Sequence, residues 1–372
     1  MMFALSSYDY PLPKHLIATA PIYPREAAKL LVYDRTKEHI THTTFAHLLE
    51  FIPKDCIIAL NNTRVLKARI YGKKLGSQTA REIFFHRFAT GDDLRTLSSA
   101  NTLDSTCASP LDSGALALCQ IRGRVKLGDV FACAGFYAQV VALLDNGHRV
   151  TRFFTQDIES SQRFLSQEAV LAMLEEIGHI PLPPYIKRAS NDNDAQDYQS
   201  LFATQAGAIA APTASLHLSS TMLEALKEQV AYLTLHIGAG TFASVNVPDI
   251  RNHKMHTESL HITAQALEKL LCAKSRLCVG TSALRSVEYA ARLYEAHPKP
   301  YADLHAQCDI FLHLGDKPRY VDYLLTNFHL PKSTLTMLVA SMVGYEQWRQ
   351  IYEQSIAKEY RFYSYGDAML IL

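Results

Sequence analysis

The chain has 372 residues, 48% apolar and 20% charged, an ordinary globular composition that supports a sizeable core and excludes a wholly disordered chain. Its 37 lysines and arginines nearly cancel 36 aspartates and glutamates, which argues against a basic or an acidic tail. As an average, a net charge of +1 argues against a nucleic-acid partner; its distribution along the chain does not.

The length predicts two domains. The cysteines (Cys56, Cys107, Cys119, Cys133, Cys272, Cys278 and Cys308) are odd in number and form no C-x-x-C. That argues against a disulfide framework or structural zinc and for a reducing compartment. The N-terminal residues lack the basic region of a signal peptide. The apolar run at 335–343 falls short of the ~20 residues that span a bilayer. A soluble, cytoplasmic protein is expected.

Taken in order, KLLVYD (29–34) and IIALN (57–61) have the pattern of buried strands. Helical periodicity then disappears over 64–155. Strand-like pieces at 81–88, 138–144 and 149–154 are separated there by Gly, Ser and Asp. After Ser166, the apolar positions Val170, Met173, Leu174 and Ile177 predict an amphipathic helix that Gly178 stops. The run NDNDAQD (191–197) reads as a polar surface loop. Thr221 and Glu224 have capping-box spacing ahead of Leu223, Leu226 and Val230. Residues 231–237 predict a strand, 263–271 a helix and 276–280 another strand. The expected fold is a layered α/β core domain (1–63 and 156–372) with an inserted small all-β barrel domain at 64–155.

Charge is concentrated in one place. Arg64, Lys67, Arg69, Lys73, Lys74, Arg81 and Arg87 face a single acid, Glu82, and Tyr71, Phe84, Phe85 and Phe88 are interleaved. The pattern suits phosphate contacts beside stacking surfaces, or a solvated strand face over buried aromatics.

The run GAGTFA from Gly238 to Ala243 matches G-x-G-x-x-A, but the β-branched, proline-interrupted SVNVP (244–248) replaces the helix a dinucleotide site needs. The glycines between His236 and Phe242 instead permit a tight turn or close approach to a ligand. His253-x-x-His256 and His261 invite a metal, yet H-E-x-x-H is absent and no P-C-x-x-C follows the H-T-E of 256–258. No catalytic metal is expected. His253, His256 and Glu258 are candidates for proton transfer or hydrogen bonding. In VGTSALR (279–285), Thr281 or Ser282 is placed as the cap of a helix whose first N–H groups could hold a carboxylate or phosphate. TNFHLPKST (326–334) and YRFYSYGDAM (360–369) are polar clusters within apolar sequence, as ligand sites and buried networks are.

These segments resemble the S-adenosylmethionine:tRNA ribosyltransferase-isomerase family of queuosine biosynthesis. The likeness runs through YDYPLP (8–13), PR (24–25), NNTRV (61–65), AR (68–69), IPLPPYI (180–186), AAPTA (210–214) and HIGAGTF (236–242). HKMH (253–256) and the two clusters near the C-terminus complete it. Departures are Asn62 for the usual Asp, Ser215 for Gly, Leu218 for Phe, SQTAREI (77–83) for T-G-G-x-V-E-V, and FLHLG (311–315) for I-F-I-x-P-G. An acid at the position of Asn62 therefore cannot be a required base in this chain.

The resemblance implies transfer and isomerisation of the ribosyl part of S-adenosylmethionine onto a 7-aminomethyl-7-deazaguanine at the tRNA wobble position. It implies no metal or redox cofactor, S-adenosylmethionine as co-substrate, tRNA as partner, and a monomer. It assigns proton transfer to His253, His256 and Glu258. Substrate contact falls to Pro212, Thr213, His236, Gly238, Gly240, Thr241, Phe242, Asn327, His329, Lys332, Ser333 and Asp367. Arg64, Lys67, Arg69 and Lys73 are placed on tRNA phosphates. A metal-dependent hydrolase and a non-catalytic tRNA-binding protein are the alternatives.

Overall fold

The structure, a computed structural model, describes residues 2–91, 93, 114–145, 147–156, 162–242 and 244–372, with Phe242 described by its backbone alone. Cys107 and Ala243 lie outside the described residues. The chain forms two compact units. One comprises Met1–Arg64, Pro183–Lys187 and Gln196–Leu372, the other Val65–Leu182 and Arg188–Ala195.

The strands in chain order are β1 (Lys29–Asp34), β2 (His39–Thr44), β3 (Cys56–Asn61), β4 (Thr63–Val65), β5 (Arg69–Lys74) and β6 (Ala80–Phe88). They continue with β7 (Leu116–Ile121), β8 (Val130–Cys133), β9 (Phe136–Leu143), β10 (Arg149–Gln156), β11 (Gln162–Phe164) and β12 (Gln205–Ala208). The last are β13 (Val230–Leu235), β14 (Glu258–Ile262), β15 (Ser275–Val279), β16 (Leu304–Cys308), β17 (Tyr323–Asn327) and β18 (Ala368–Ile371). The longer helices are α1 (Gln167–Ile177), α2 (Ser220–Leu226), α3 (Ala264–Leu271), α4 (Thr281–Ala296), α5 (Thr334–Val343) and α6 (Tyr345–Ala357).

In the first unit, a mixed sheet of nine strands has the order β16-β14-β13-β3-β15-β17-β18-β1-β2. Its centre, β13-β3-β15-β17, is parallel throughout. The apolar runs are continuous because both faces are covered. Along β1, Leu30 and Val32 pack in one core cluster while Leu31 and Tyr33 pack in the other. On β15, Leu277 and Val279 face one way and Cys278 the other. Leu284, Val287, Ala290 and Tyr294 of α4 cover the face of Leu31, Tyr33 and Cys278, and Met222 and Leu226 of α2 cover the face of Leu30, Val32, Leu277 and Val279. Each fully buried Leu or Val contributes about 1.5–3 kcal/mol.

Two helix starts differ from the sequence reading. Ser219, not Thr221, caps α2 and accepts from the Met222 amide; Glu224 makes no return bond to the cap. At α4, Gly280 occupies the cap position at φ 92°, a conformation glycine adopts without strain, and Thr281 and Ser282 already lie in the first turn. After β13 there is only a short 3-10 turn, Ala239–Phe242, so no dinucleotide helix forms.

In the second unit, β10-β7-β6-β5-β8-β9 are hydrogen-bonded in that order, and β9 also pairs with β10, so these strands form a complete circuit with β11 added outside. Side chains alternate along β5: Ile70 and Gly72 are buried, Tyr71 and Lys73 exposed. The helix expected after Ser166 is present. Ser166 Oγ accepts from the Ala169 amide, and Val170, Met173 and Leu174 are buried. Gly178 is its C-cap, donating its N–H to the Leu174 carbonyl, and a Cβ there would lie 2.0 Å from the Lys67 carbonyl oxygen.

The run at 191–197 is less solvated than expected: Asp194 is buried and pairs with Arg188 at 2.6 Å, and the chain passes between the units after Ala195. The described cysteines are free, and among the described residues no helix is long and apolar enough to cross a membrane.

Candidate active site

Parallel sheets gather ligand-binding loops at the carboxyl ends of their strands. In the first unit, the segments following β13, β15 and β17 line one cavity of about 460 Å³. Thr241, Ser244 and Val245 come from the first, Gly280–Ser282 and Arg285 from the second, and 326–333 from the third. Pro212–Ala214, Tyr185, Tyr198 and Tyr363 complete much of the wall.

Two helices begin at this wall. Gly280 caps α4 with no side-chain acceptor for its first amides, whereas Ser333 Oγ caps α5 by accepting from Thr336. The uncapped start of α4 offers N–H donors and the positive end of a dipole to an anion in the cavity.

The wall also carries a buried charge pair. Glu258, 3% exposed at the start of β14, faces Arg285, 5% exposed on α4. The Gly238 amide donates to Glu258 Oε1 at 3.0 Å, and His256 Nε2 lies 3.2 Å from the same oxygen. Burial pushes the Glu258 carboxyl up, but His256, the Arg285 charge and the Gly238 amide outweigh it and hold the group below its ordinary value. Glu258 is therefore a carboxylate at neutral pH. Arg285 is fixed from behind by the carbonyls of Ile310 and Cys308.

Two further wall groups, His329 and Tyr185, are neutral. Burial lowers His329 to about 3, and its Nε2 lies 2.9 Å from Thr326 Oγ1. Burial raises Tyr185 to about 12, and its ring sits 4.2 Å from that of Tyr363. Thr213 Oγ1 donates to Asn327 Oδ1 at 2.8 Å, leaving the buried Asn327 Nδ2 with no partner in the protein. Two aromatic rings tilted 47° to each other and an unused amide donor on the same wall suit a heteroaromatic ring with an acceptor nitrogen.

Pro212, Thr213, Thr241, Glu258, Asn327, His329, Lys332 and Ser333 thus share this cavity. Lys332 Nζ is paired with Asp9 at 2.7 Å, and Ser333 Oγ serves its cap. His256 stands beside Gly240, where a Cβ would come within 2.6 Å of its ring. His253, His256, His236, Gly238, Gly240 and Asp367 are not on the described wall. His253 packs edge-on against Phe311, and burial and then the His256 charge lower its pKa. His236 Nδ1 is 2.8 Å from Thr63 Oγ1. Asp367, 1% exposed, accepts from the amides of Lys29 and Arg361 and so joins the C-terminal segment to β1. The side chain of Phe242 lies outside the described atoms.

The family departures fall in supporting positions. Asn62 Oδ1 accepts from Thr234 Oγ1 at 2.7 Å, Ser215 Oγ donates to the Pro212 carbonyl, and Leu218 is a core residue. Sequence reasoning missed Arg285, Tyr185 and Tyr363 as individual wall residues. All three lay inside motifs quoted for other reasons, and Arg285 had one available signal, a lone charge between Leu284 and Ser286.

Of the bases expected to meet RNA, Lys67 Nζ donates to the Glu175 carbonyl at 2.9 Å and Arg69 Nε is 3.7 Å from Glu82. Arg64 is half-buried and Lys73 exposed. Tyr71, 49% exposed between Arg69 and Lys73, has its ring 5.6 Å from that of His179.

A cavity at the carboxyl ends of parallel strands, with a buried carboxylate–guanidinium pair in its wall, marks a mixed α/β enzyme of the small-molecule-binding class. A family model described as queuosine biosynthesis protein matches residues 5–371. The S-adenosylmethionine:tRNA ribosyltransferase-isomerase of Helicobacter pylori is 50% identical over 376 residues, covering 100% of this chain and 99% of the relative. That of Helicobacter hepaticus is 47% identical over 384 residues, covering 100% and 97%. The crystal structure of the S-adenosylmethionine tRNA ribosyltransferase from Thermotoga maritima matches with a TM-score of 0.50 and 25% identity, covering 99% of this chain and 100% of that one. The chain is an enzyme of the queuosine biosynthesis protein family.

Proposed function

We propose that this enzyme transfers and isomerises the ribosyl moiety of S-adenosylmethionine onto 7-aminomethyl-7-deazaguanine at the wobble position of tRNA, releasing adenine and methionine and giving epoxyqueuosine-tRNA. The observation that carries the reading, beside family membership, is the shared wall. It holds an uncapped helix start, an aromatic pair, the free amide donor of Asn327 and the Glu258–Arg285 pair.

The chemistry needs few groups. The sulfonium acidifies the adjacent ribose carbon, so one base can remove its proton; adenine must leave with a proton or hydrogen bonds, and the tRNA amine must arrive unprotonated. His253, His256 and Glu258 are the proposed proton-handling groups; Glu258 is on the cavity wall and the two histidines are not. Pro212, Thr213, Thr241, Asn327 and His329 are the proposed contacts of S-adenosylmethionine. The start of α4, together with Lys332 and Ser333, is proposed to receive its carboxylate. His236, Gly238 and Gly240 shape the loop that carries Thr241, and Asp367 braces the C-terminal segment.

Arg64, Lys67, Arg69 and Lys73 are proposed to meet tRNA phosphates. The strand circuit of the second unit supports reading 64–155 as an inserted β-barrel domain that presents most of them. The wobble base is splayed out to react, as single-stranded bases are when proteins act on them. The reading includes a cytoplasmic, monomeric enzyme without metal or redox cofactor in the reaction.

The test incubates the protein with S-adenosylmethionine and tRNA bearing 7-aminomethyl-7-deazaguanine. Stoichiometric adenine and a mass gain on the tRNA are expected; neither product would overturn the reading.

A further inference from the structure

We infer that His261, Asp303 and His305 form a binding site for one divalent late first-row transition ion, with Zn(II), Co(II) and Ni(II) as the matching class. These residues are not on the described wall of the active-site cavity, and the site does not depend on the proposed reaction.

The argument starts from register. β14 and β16 are antiparallel, and His261 stands directly opposite His305. Directly opposed residues project from the same face of a sheet with Cβ atoms ~5 Å apart. Asp303 precedes His305 by two positions and so points to that face as well. Since β16 is the last strand of the nine-stranded sheet, this face is open to solvent at its edge.

The side chains converge as the register requires. One ligand atom from each residue lies within 4.8 Å of the other two. The imidazoles of His261 and His305 are stacked, with centroids 4.3 Å apart and planes 13° from parallel. His261 Nε2 is shielded from solvent, has no hydrogen-bond partner in the protein and lies 3.9 Å from Asp303 Oδ2. Asp303 is oriented by the Ala264 amide, which donates to Oδ1 at 2.8 Å and leaves Oδ2 for another partner. Such support of a ligating carboxylate is typical around metals.

A tetrahedral ion would draw its nitrogen and oxygen ligands to about 2.0–2.2 Å. His305 and Asp303 are exposed, so rotation of their side chains can close the remaining distance. Two imidazoles and one carboxylate suit borderline ions rather than Ca(II) or Mg(II), and solvent supplies the open position. A bound ion would fasten the edge strand to its neighbour.

The test titrates tag-free protein with Co(II) and Zn(II), following Co(II) absorption, ion count by native mass spectrometry and thermal unfolding. The expected result is one ion per chain, Co(II) bands of nitrogen–oxygen coordination, and a rise in the unfolding temperature that a chelator reverses. His305→Ala and Asp303→Asn, both at exposed positions, are expected to weaken binding at least about tenfold and to abolish the thermal effect. No saturable uptake would overturn the proposal. So would uptake that both variants retain undiminished, or a sulfur charge-transfer band placing the ion on a cysteine.

Discussion

Arg285, on the helix Thr281–Ala296, presents its guanidinium to the carboxylate of Glu258 at the wall of the cavity, with both side chains buried. A buried pair of this kind stabilises little in total, yet removing one partner leaves the other charged and desolvated. Arg285→Ala should therefore cost ~3–5 kcal/mol of unfolding free energy. Glu258→Gln keeps an acceptor for the Gly238 amide but strands the arginine. The double variant should lose less than the sum of the singles, by ~0.5–3 kcal/mol. Urea unfolding of the single and double variants checks this; strict additivity would show that the pair is not coupled. If Glu258 handles a proton, Glu258→Gln also lowers kcat by ~10²–10⁴ with S-adenosylmethionine affinity retained.

Tyr71 stands between Arg69 and Lys73 on the outward face of β5, half-exposed and beside the ring of His179. Lys73→Ala should weaken tRNA binding and reduce the slope of log K against log salt by ~0.7–0.9, the signature of one lost phosphate contact. Tyr71→Ala should weaken binding by ~1–3 kcal/mol without changing that slope, and Tyr71→Phe should restore it, because a stacking surface carries no charge. Lys67→Ala is a poorer probe, since its ammonium also holds the Glu175 carbonyl at the end of its helix. Filter binding across a salt series separates these outcomes; unchanged affinity in both variants places RNA elsewhere.

What the sequence shows is set by periodicity. The run KLLVYD reads as a buried strand because Leu30 and Leu31 pack on opposite faces of a sheet covered on both sides, leaving no polar alternation. Ser166 and Gly178 bracket their helix because cap and stop are local. The start of the helix Ser220–Leu226 was misplaced because Ser219 and Thr221 are both good caps, and local spacing does not choose between them. The cavity was legible as motifs but not as geometry. Asp367 and Asn327 are both buried polar residues within quoted motifs, yet Asp367 is satisfied by backbone amides and Asn327 has a donor to spare. Partner choice of that kind is made by residues distant in the chain.

His217 is 5% exposed, with Nε2 2.9 Å from the Gly366 carbonyl oxygen, and burial pushes its pKa from 6.5 to about 4. Its folded value is thus below its unfolded value, so the unfolded chain takes up the proton first as pH falls. The neutral fold is fully stable above pH 6.5, loses stability from there to about pH 4, and loses no more from this group below that. The shift corresponds to ~3 kcal/mol. His329, lowered by burial to about 3, extends the same trend to lower pH. His217→Gln keeps a donor for Gly366 without a titrating group. Its urea midpoint should fall less than that of the wild type between pH 6.5 and 4, and parallel curves would assign the acid sensitivity to other groups.

Gly240 and His256 are matched by shape. A Cβ on Gly240 would lie 2.6 Å from the His256 ring, inside any tolerated contact, while His256 Nε2 is 3.2 Å from Glu258. Gly240→Ala must therefore push the imidazole away from the carboxylate. The expected result is a fall in kcat of about tenfold or more, because ~1 Å of misplacement can cost ~10² in rate, with little change in the urea midpoint since His256 is only part-buried. The cause is separable from general damage to the loop. In a His256→Ala background the clash partner is gone, so adding Gly240→Ala should cost almost nothing further. Fold-changes in kcat that multiply across the double variant would mean that Gly240 acts through the backbone of Ala239–Phe242; a non-multiplicative pair ties its effect to the position of the His256 ring.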